Sequence, residues 1–278
     1  MKTWFITGAS RGFGLLIAKL ALERGDNVVA TARKPEAVKN VFGAHERLLA
    51  LPVDVTNEED AICAAEQAAA RFGRIDVLVN NAGYGLLGAV EESSAEEIRR
   101  LFETNVFGLL SVTRAVLPVM RRQRSGHVIN FSSIGGYKAH HGWGVYGSTK
   151  FAVEGITEAL SQELAPLGIH ATVVEPGFFR TDFLDASSLM STATKIADYA
   201  DTVGAMRKLA ATANHQQPGD PVMLASAIMV LADSQIPPLR LPLGRDTIQR
   251  LMEKNKSVER ELEQWMSVSL STDFTTLV

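Results

Sequence analysis

Short apolar runs recur along the chain, and each is followed by a stretch with helical spacing. Trp4-Phe5-Ile6-Thr7, Asn27 to Arg33, Leu48 to Val55, Ile75 to Val79, Val128 to Phe131 and Ile169 to Val174 read as strands buried on both faces. Between them, Leu15, Leu16, Ala18 and Leu22 make a helix that stops at Gly25. Residues 57–72 place Ile62, Ala65, Ala69 and Phe72 on one stripe. Ser94-Ala95-Glu96-Glu97 resembles a capping pattern and opens a long helix to about Arg122. Further helices are expected from Tyr146 to about Pro166 and from Pro221 to Leu231.

Ile236 to Gly244 reads as a seventh strand, at the sheet edge because its prolines cannot donate to a central ladder. Residues 183–215 lack sheet periodicity, and one or two helices forming a lid are expected there. The segment 246–278 reads as a helical extension. Its stripe of Ile248, Leu251, Val258, Leu262 and Trp265 would pack on its own domain or on a partner subunit. Alternating strands and helices predict an α/β fold with a parallel sheet, doubly wound and covered on both faces. No linker or repeat divides the chain, so residues 1–278 read as a single domain.

Composition adds limits. The chain has 278 residues, is 46% hydrophobic and 21% charged, and carries a net charge of −3. With basic residues scattered, a nucleic-acid or anionic-membrane role has no electrostatic support. One cysteine, Cys63, excludes a disulfide scaffold or cysteine zinc site; in its alanine-rich run it reads as a buried small apolar residue. No metal ligand set stands out. No secretory signal or long apolar span is present, so a cytoplasmic protein is expected.

The chemistry sits at the strand ends. Gly8-Ala9-Ser10-Arg11-Gly12-Phe13-Gly14 joins the first strand to the first helix, the context of a phosphate-binding turn. Glycines let backbone N–H groups approach a pyrophosphate, although the spacing 8, 12, 14 departs from Gly-x-Gly-x-x-Gly. The second strand ends in Ala32-Arg33 with no carboxylate. Arg33, with Arg11, therefore favours the 2′-phosphate of NADP(H) over NAD(H). Asp54 could accept from an adenine amino group or cap the next helix. Farther on, Ser132-Ser133, a glycine-rich loop, Tyr146 and Lys150 gather hydroxyl, phenol and ammonium. The four-residue spacing stacks Tyr146 and Lys150 on one helix face. Asn105, polar among apolar neighbours, must join a network or bend its helix.

In this order and at these spacings the motifs resemble the short-chain dehydrogenase/reductases, over residues 1 to about 182. The resemblance rests on Thr7 to Gly14, Asn80-Asn81-Ala82-Gly83, Asn105, Ser133, Tyr146-Gly-Ser-Thr-Lys150 and Pro176-Gly177. It implies a seven-stranded Rossmann sheet, nicotinamide-dependent interconversion of carbonyl and alcohol, and a catalytic tetrad of Asn105, Ser133, Tyr146 and Lys150. It implies that Asn81, Ala82 and Gly83 line the adenosine side of the cofactor beside Asp54 and Val55. Pro176, Gly177, Phe179 and Thr181 would hold the nicotinamide end. The end of the second strand and the region past residue 180 look most like NADP-using carbonyl, retinol and hydroxysteroid reductases. Relatives of this kind are often dimers or tetramers.

Under this reading Tyr146 donates a proton to the carbonyl oxygen and Ser133 orients it. Lys150 lowers the phenol pKa, and Asn105 anchors a water leading to solvent. Lowering a phenol by about 3 units needs roughly 4 kcal/mol, which one cation about 4 Å away supplies at an effective dielectric near 20. Ser132, on the opposite strand face from Ser133, reads as a turn or backbone hydrogen bond. Trp143, Phe178 and Phe183 are candidate substrate contacts, with Leu86, Leu87 and Phe179 as further apolar residues that are either pocket or core. His140 and His141 either touch substrate or lie exposed, and His170 reads as structural. Two rivals remain: a non-catalytic NADP(H)-sensing regulator, and an epimerase or dehydratase, for which the chain lacks a larger substrate domain.

Overall fold

In the computed structural model, residues 1–274 are described; the last four positions of the expected extension, 275–278, lie outside them. The elements run β1 (Thr3–Thr7), α1 (Gly12–Glu23), β2 (Asn27–Ala32), α2 (Glu36–Phe42), β3 (Leu48–Pro52), α3 (Glu58–Phe72), β4 (Val77–Asn80) and β5 (Gly85–Leu87). There follow α4 (Ala95–Phe102), α5 (Gly108–Gln123), β6 (Gly126–Phe131), α6 (Gly144–Leu164), β7 (Ile169–Pro176) and β8 (Leu189–Ser191). The chain closes with α7 (Ala205–Ala213), α8 (Pro221–Asp233), β9 (Arg240–Leu243) and α9 (Arg245–Leu270).

Seven strands form one parallel sheet in the order β3-β2-β1-β4-β6-β7-β9. Strand alternation divides the core. Trp4, Ile6, Val28, Ala30, Val77 and Val79 face α1 and α8, while Phe5, Val29, Leu78 and Val128 face α3 and α5. Burying a side chain such as Phe5 or Ile6 contributes about 1.5–3 kcal/mol. The chain winds outward from β1 in both directions, and the crevice for a ligand opens beyond the carboxyl ends of β1 and β4. β9 lies at the edge, as its prolines require.

Several expectations are corrected. The buried stripe of α3 is Ala61, Ala64, Ala65 and Ala68, which leaves Ile62 and Cys63 exposed; the cysteine is not a core residue. The long helix is broken: α4 passes through a wider turn at residues 103–107, around Asn105, before α5. The segment expected as a lid, 183–215, contains one α-helix, α7, and also the short strand β8, which pairs in parallel with β5. Three residues are too few to show an alternation. On α9, Ile248, Val258, Leu262 and Trp265 are exposed, so that stripe does not pack on its own domain. No helix among the described residues is long and apolar enough to cross a membrane.

One buried cluster ties β7, β9 and α6 together behind the crevice. The Arg240 guanidinium meets Glu154, lies 3.3 Å from Glu175 and bonds Glu158 at 2.9 Å. The side chain of Glu175 is wholly buried and that of Glu154 nearly so, and one oxygen of each has no hydrogen-bond partner among the described residues. Burial pushes both carboxyls above the usual range, and Glu175 adds like-charge repulsion at Glu154. The folded state thus holds a proton that the unfolded chain releases near pH 4.5. The stability from that proton is present below pH 4.5 and is lost as pH rises toward neutrality. Glu154→Gln should leave stability near neutral pH unchanged or higher and flatten this decline, whereas Arg240→Met should cost about 3 kcal/mol. Urea unfolding of both variants between pH 4.5 and 8 checks this; a Glu154→Gln curve parallel to the unmodified protein's contradicts it.

Candidate active site

The crevice is a cavity of about 1440 Å³ that runs from the ends of β2 and β3 to the lid. Its floor is made by the turn after β1. Gly8 and Gly12 have φ of +65° and +56°, values that glycine adopts without strain. Gly14 lies outside the cavity wall, against expectation. A Cβ there would sit 2.5 Å from the Gly8 carbonyl oxygen, so its role is to let α1 pack closely. The Thr7 hydroxyl accepts from the N–H groups of Asn81 and Ala82, and the Asn81 amide donates to Thr7 and Gly8 oxygens at 3.0 and 3.2 Å. Asn80 donates to Thr113 and Asn130. These bonds hold β4 against the turn as the Asn80-Asn81-Ala82-Gly83 motif implies.

Gly8, Ser10, Arg11, Gly12, Phe13, Arg33, Asp54, Val55, Asn81, Ala82, Gly83, Pro176, Gly177, Phe179 and Thr181 all line the cavity. Two of them also make contacts within the chain. Arg11 donates to the Ser187 carbonyl at 2.8 Å, so it clasps the lid loop across the crevice. Asp54 accepts from the Thr56 N–H and hydroxyl, while Asn57 caps α3. Lys34, unremarked in the sequence, stands beside Arg33 in the wall. The adjacency of two cations just past β2 was the available signal. Phe13 packs on Phe131 and Phe179, with ring centroids 5.7 and 5.6 Å away. A further residue missed is Gln217: 3% exposed, with neither amide atom partnered among the described residues, and lining the cavity. The positive-φ turn, the Arg33–Lys34 pair and this unpartnered amide fit a dinucleotide.

Ser133, Tyr146 and Lys150 meet at the cavity's centre. Ser133 follows β6 and its Oγ accepts from the Gly135 N–H. Ser132 turns the other way, to the Lys150 and Ser133 carbonyls. Tyr146 and Lys150 sit one turn apart at the start of α6, both buried. Lys150 Nζ donates to the Phe131 carbonyl at 2.9 Å and lies 5.8 Å from the Tyr146 ring centroid. Burial brings the Lys150 ammonium down to about 8, opposed by Glu154. Burial also raises the Tyr146 phenol, with the Ser133 hydroxyl opposing it. The expected lowering of the phenol is therefore not achieved by the chain alone. Asn105 is 1% exposed and outside the cavity wall. Its amide holds both backbone groups of Tyr84 and donates to Thr149, which makes it a positioning brace and not a cavity-facing group.

The other end is apolar. Trp143 and Phe183 pack on Tyr146, with centroids 5.7 Å from its ring, and Phe178, Leu86, Met206 and Leu209 extend the wall. Leu87 belongs to the core. His140 is half-buried in the wall; His141 and His170 are exposed.

The family model of the short chain dehydrogenases matches residues 2–191. An oxidoreductase, BOA17, of Botryotinia fuckeliana is 39% identical over 98% of this chain and 99% of its own. The crystal structure of a short-chain dehydrogenase from Streptomyces avermitilis superposes with a TM-score of 0.91 at 43% identity, covering 98% of this chain and 100% of that one. The structure of ElxO with NADP bound gives 0.74 at 27%, covering 89% and 99%. The chain belongs to the short-chain dehydrogenase/reductase family and is an oxidoreductase of that family.

The segment that carries α7 is held by a buried ion pair. Glu92, its side chain fully buried, bonds Arg207 of α7 at 2.6 Å and accepts from the Ala89 and Ile196 N–H groups. Hydrogen bonding to Arg207 holds Glu92 down at about 2. Arg207→Met leaves that carboxylate without its cation and should cost about 3 kcal/mol. Hydrogen exchange checks it: amides of residues 189–213 should exchange about 100-fold faster, with β1 and β4 unchanged.

Proposed function

We propose that the protein is an NADP(H)-dependent carbonyl reductase for a bulky apolar or aromatic carbonyl compound. The observation that carries this reading is one continuous cavity with Arg33 and Lys34 at one end, Ser133, Tyr146 and Lys150 at its centre, and Trp143 and Phe183 at the other. ElxO, of the same fold, binds NADP, which supports the cofactor class. When bound, the nicotinamide ring supplies the hydride. The chain's own residues handle the proton. Tyr146 keeps its proton at neutral pH because burial raises the phenol, so it is in the form a general acid requires. It gives that proton to the substrate oxygen, which the Ser133 hydroxyl holds in place. Lys150, brought near neutral pH, returns a proton to the phenolate. Trp143 and Phe183 exclude water from the reacting carbonyl.

A sensor without turnover would need neither the phenol nor the serine in the cavity. Tyr146→Phe should reduce kcat for NADPH-dependent ketone reduction by about 10²–10⁴-fold while NADPH binding, followed by its fluorescence, stays within about twofold. Full turnover in that variant refutes the mechanism. Arg33→Ala should raise the KM for NADPH by about 10- to 100-fold, the worth of a charge-assisted hydrogen bond, and leave that for NADH unchanged. Equal effects on both cofactors would remove the 2′-phosphate assignment.

A further inference from the structure

The apolar end of the cavity contains one feature that an apolar substrate does not use. Arg250, one turn into α9, projects into the cavity wall. Its guanidinium lies 5.4 Å from the centroid of Phe178 and its Nη1 is 2.9 Å from His140 Nε2. Phe178 and His140 line the same cavity as Tyr146. No carboxylate lies within 4 Å of this guanidinium among the described residues. The nearby acids are engaged elsewhere. Asp246, four residues back, accepts from the Phe178 N–H at 3.0 Å, and Glu253 pairs with Lys138 at 2.8 Å.

A guanidinium carries no acceptor, so His140 Nε2 must accept from Arg250, and the proton of the neutral ring rests on Nδ1. Burial and Arg250 hold the imidazole below its ordinary pKa, as do Lys138 and His141, with Glu253 opposing. The pair therefore presents a single positive charge, flanked by Phe178 and facing an enclosure whose other walls are Trp143, Met206 and Leu209. A cation left unpaired at an apolar wall is costly unless a ligand completes it. Stacking on Phe178 holds the planar fork in a fixed orientation, which suits bidentate recognition of a carboxylate.

We propose that Arg250 is a specificity-determining residue that binds a carboxylate at the far end of the substrate, so that the preferred substrate is an apolar oxo-carboxylic acid. This rests on the carbonyl-reductase reading and sharpens it. One cation matches one monoanion; the neighbouring Lys138 is already paired with Glu253. α9 thereby becomes part of the substrate pocket and not only an outer appendage. The carboxylate and the carbonyl are recognised by different segments: Arg250 with His140 at one end, Ser133 and Tyr146 at the other.

The test is NADPH-dependent reduction of a series of oxo acids with short, medium and long methylene spacers, each compared with its methyl ester. In the unmodified protein the acid with the fitting spacer should exceed its ester in kcat/KM by about 10- to 100-fold, the range of a charge-assisted hydrogen bond. The apolar walls alone would favour the ester, so the preference cannot come from them. In Arg250→Met the acid-to-ester ratio should fall to about one or below, and Arg250→Lys should lie between. The ratio is taken within one preparation, so partial misfolding cancels. A ratio near one in the unmodified protein for every spacer, or an unchanged ratio in Arg250→Met, overturns the assignment of Arg250 and leaves the reductase reading standing. Reduction of neither acids nor esters overturns the reductase reading itself, and this inference with it.

Discussion

Two ionisable side chains, Tyr146 and Lys150, are taken out of water on the first turns of one helix, and much of the crevice answers that constraint. Burial disfavours both charged forms: it raises the phenol and lowers the ammonium, moving their protonation equilibria apart. The ammonium is satisfied by the Phe131 carbonyl at the end of β6. The helix that presents it is braced by Thr149, which receives the Asn105 amide from the widened turn between α4 and α5. Asn105 in turn fixes Tyr84, and so the wall beyond β4. A polar residue in the middle of an apolar helix thus has a physical account: the turn opens around it so that its amide can be satisfied inside the protein.

This network explains which parts of the fold were legible in the sequence. Strands buried on both faces leave continuous apolar runs, and the turn after β1 leaves its glycines, so the sheet and the floor of the crevice could be read directly. The grouping of Ser133, Tyr146 and Lys150 was legible because its spacing is that of a strand end and a helix turn. Pairings across the chain were not. β5 and β8 have three residues each, and their register depends on the lid lying across the crevice. That Arg11 reaches the Ser187 carbonyl could not be read from the sequence either. Gly14 reads as part of the phosphate turn, yet its constraint is the approach of Gly8 and Asn81. Cys63 and Ile62 were misplaced because an alanine-rich helix offers several stripes of nearly equal hydrophobicity. Only the neighbouring α5 and the sheet choose among them.

The lid shows the same logic with charge. A carboxylate as buried as Glu92 persists only with full compensation, and Arg207 with the Ala89 and Ile196 N–H groups provides it. The cluster of Glu154, Glu175 and Arg240 is the incomplete counterpart: two buried carboxyls share one strongly placed cation, and a proton makes up the difference. One cluster anchors the segment that carries α7, the other anchors the edge strand that leads into α9.

That anchoring bears on how the cavity divides. The family match ends at residue 191 and includes the phosphate turn, Ser133, Tyr146 and Lys150. Met206, Leu209, Gln217 and Arg250, which complete the wall, all come later in the chain. The later segment is not loosely attached: Asp246 binds the Phe178 N–H, Lys138 pairs with Glu253, and Tyr137 donates to Asn255. These contacts set α9 against the loop after β7 and the loop between β6 and α6, which carries Ser133. A sheet that must bury its strands constrains the first part of the chain tightly, since a change there costs core packing. After residue 191, α8 and β9 join the same core and sheet, whereas α9 buries Thr247 and is otherwise held by a few polar contacts, so its lining can change with less cost to the fold. On the proposed reading, proton delivery belongs to α6 and the loop after β6, and substrate choice to the segment laid across them.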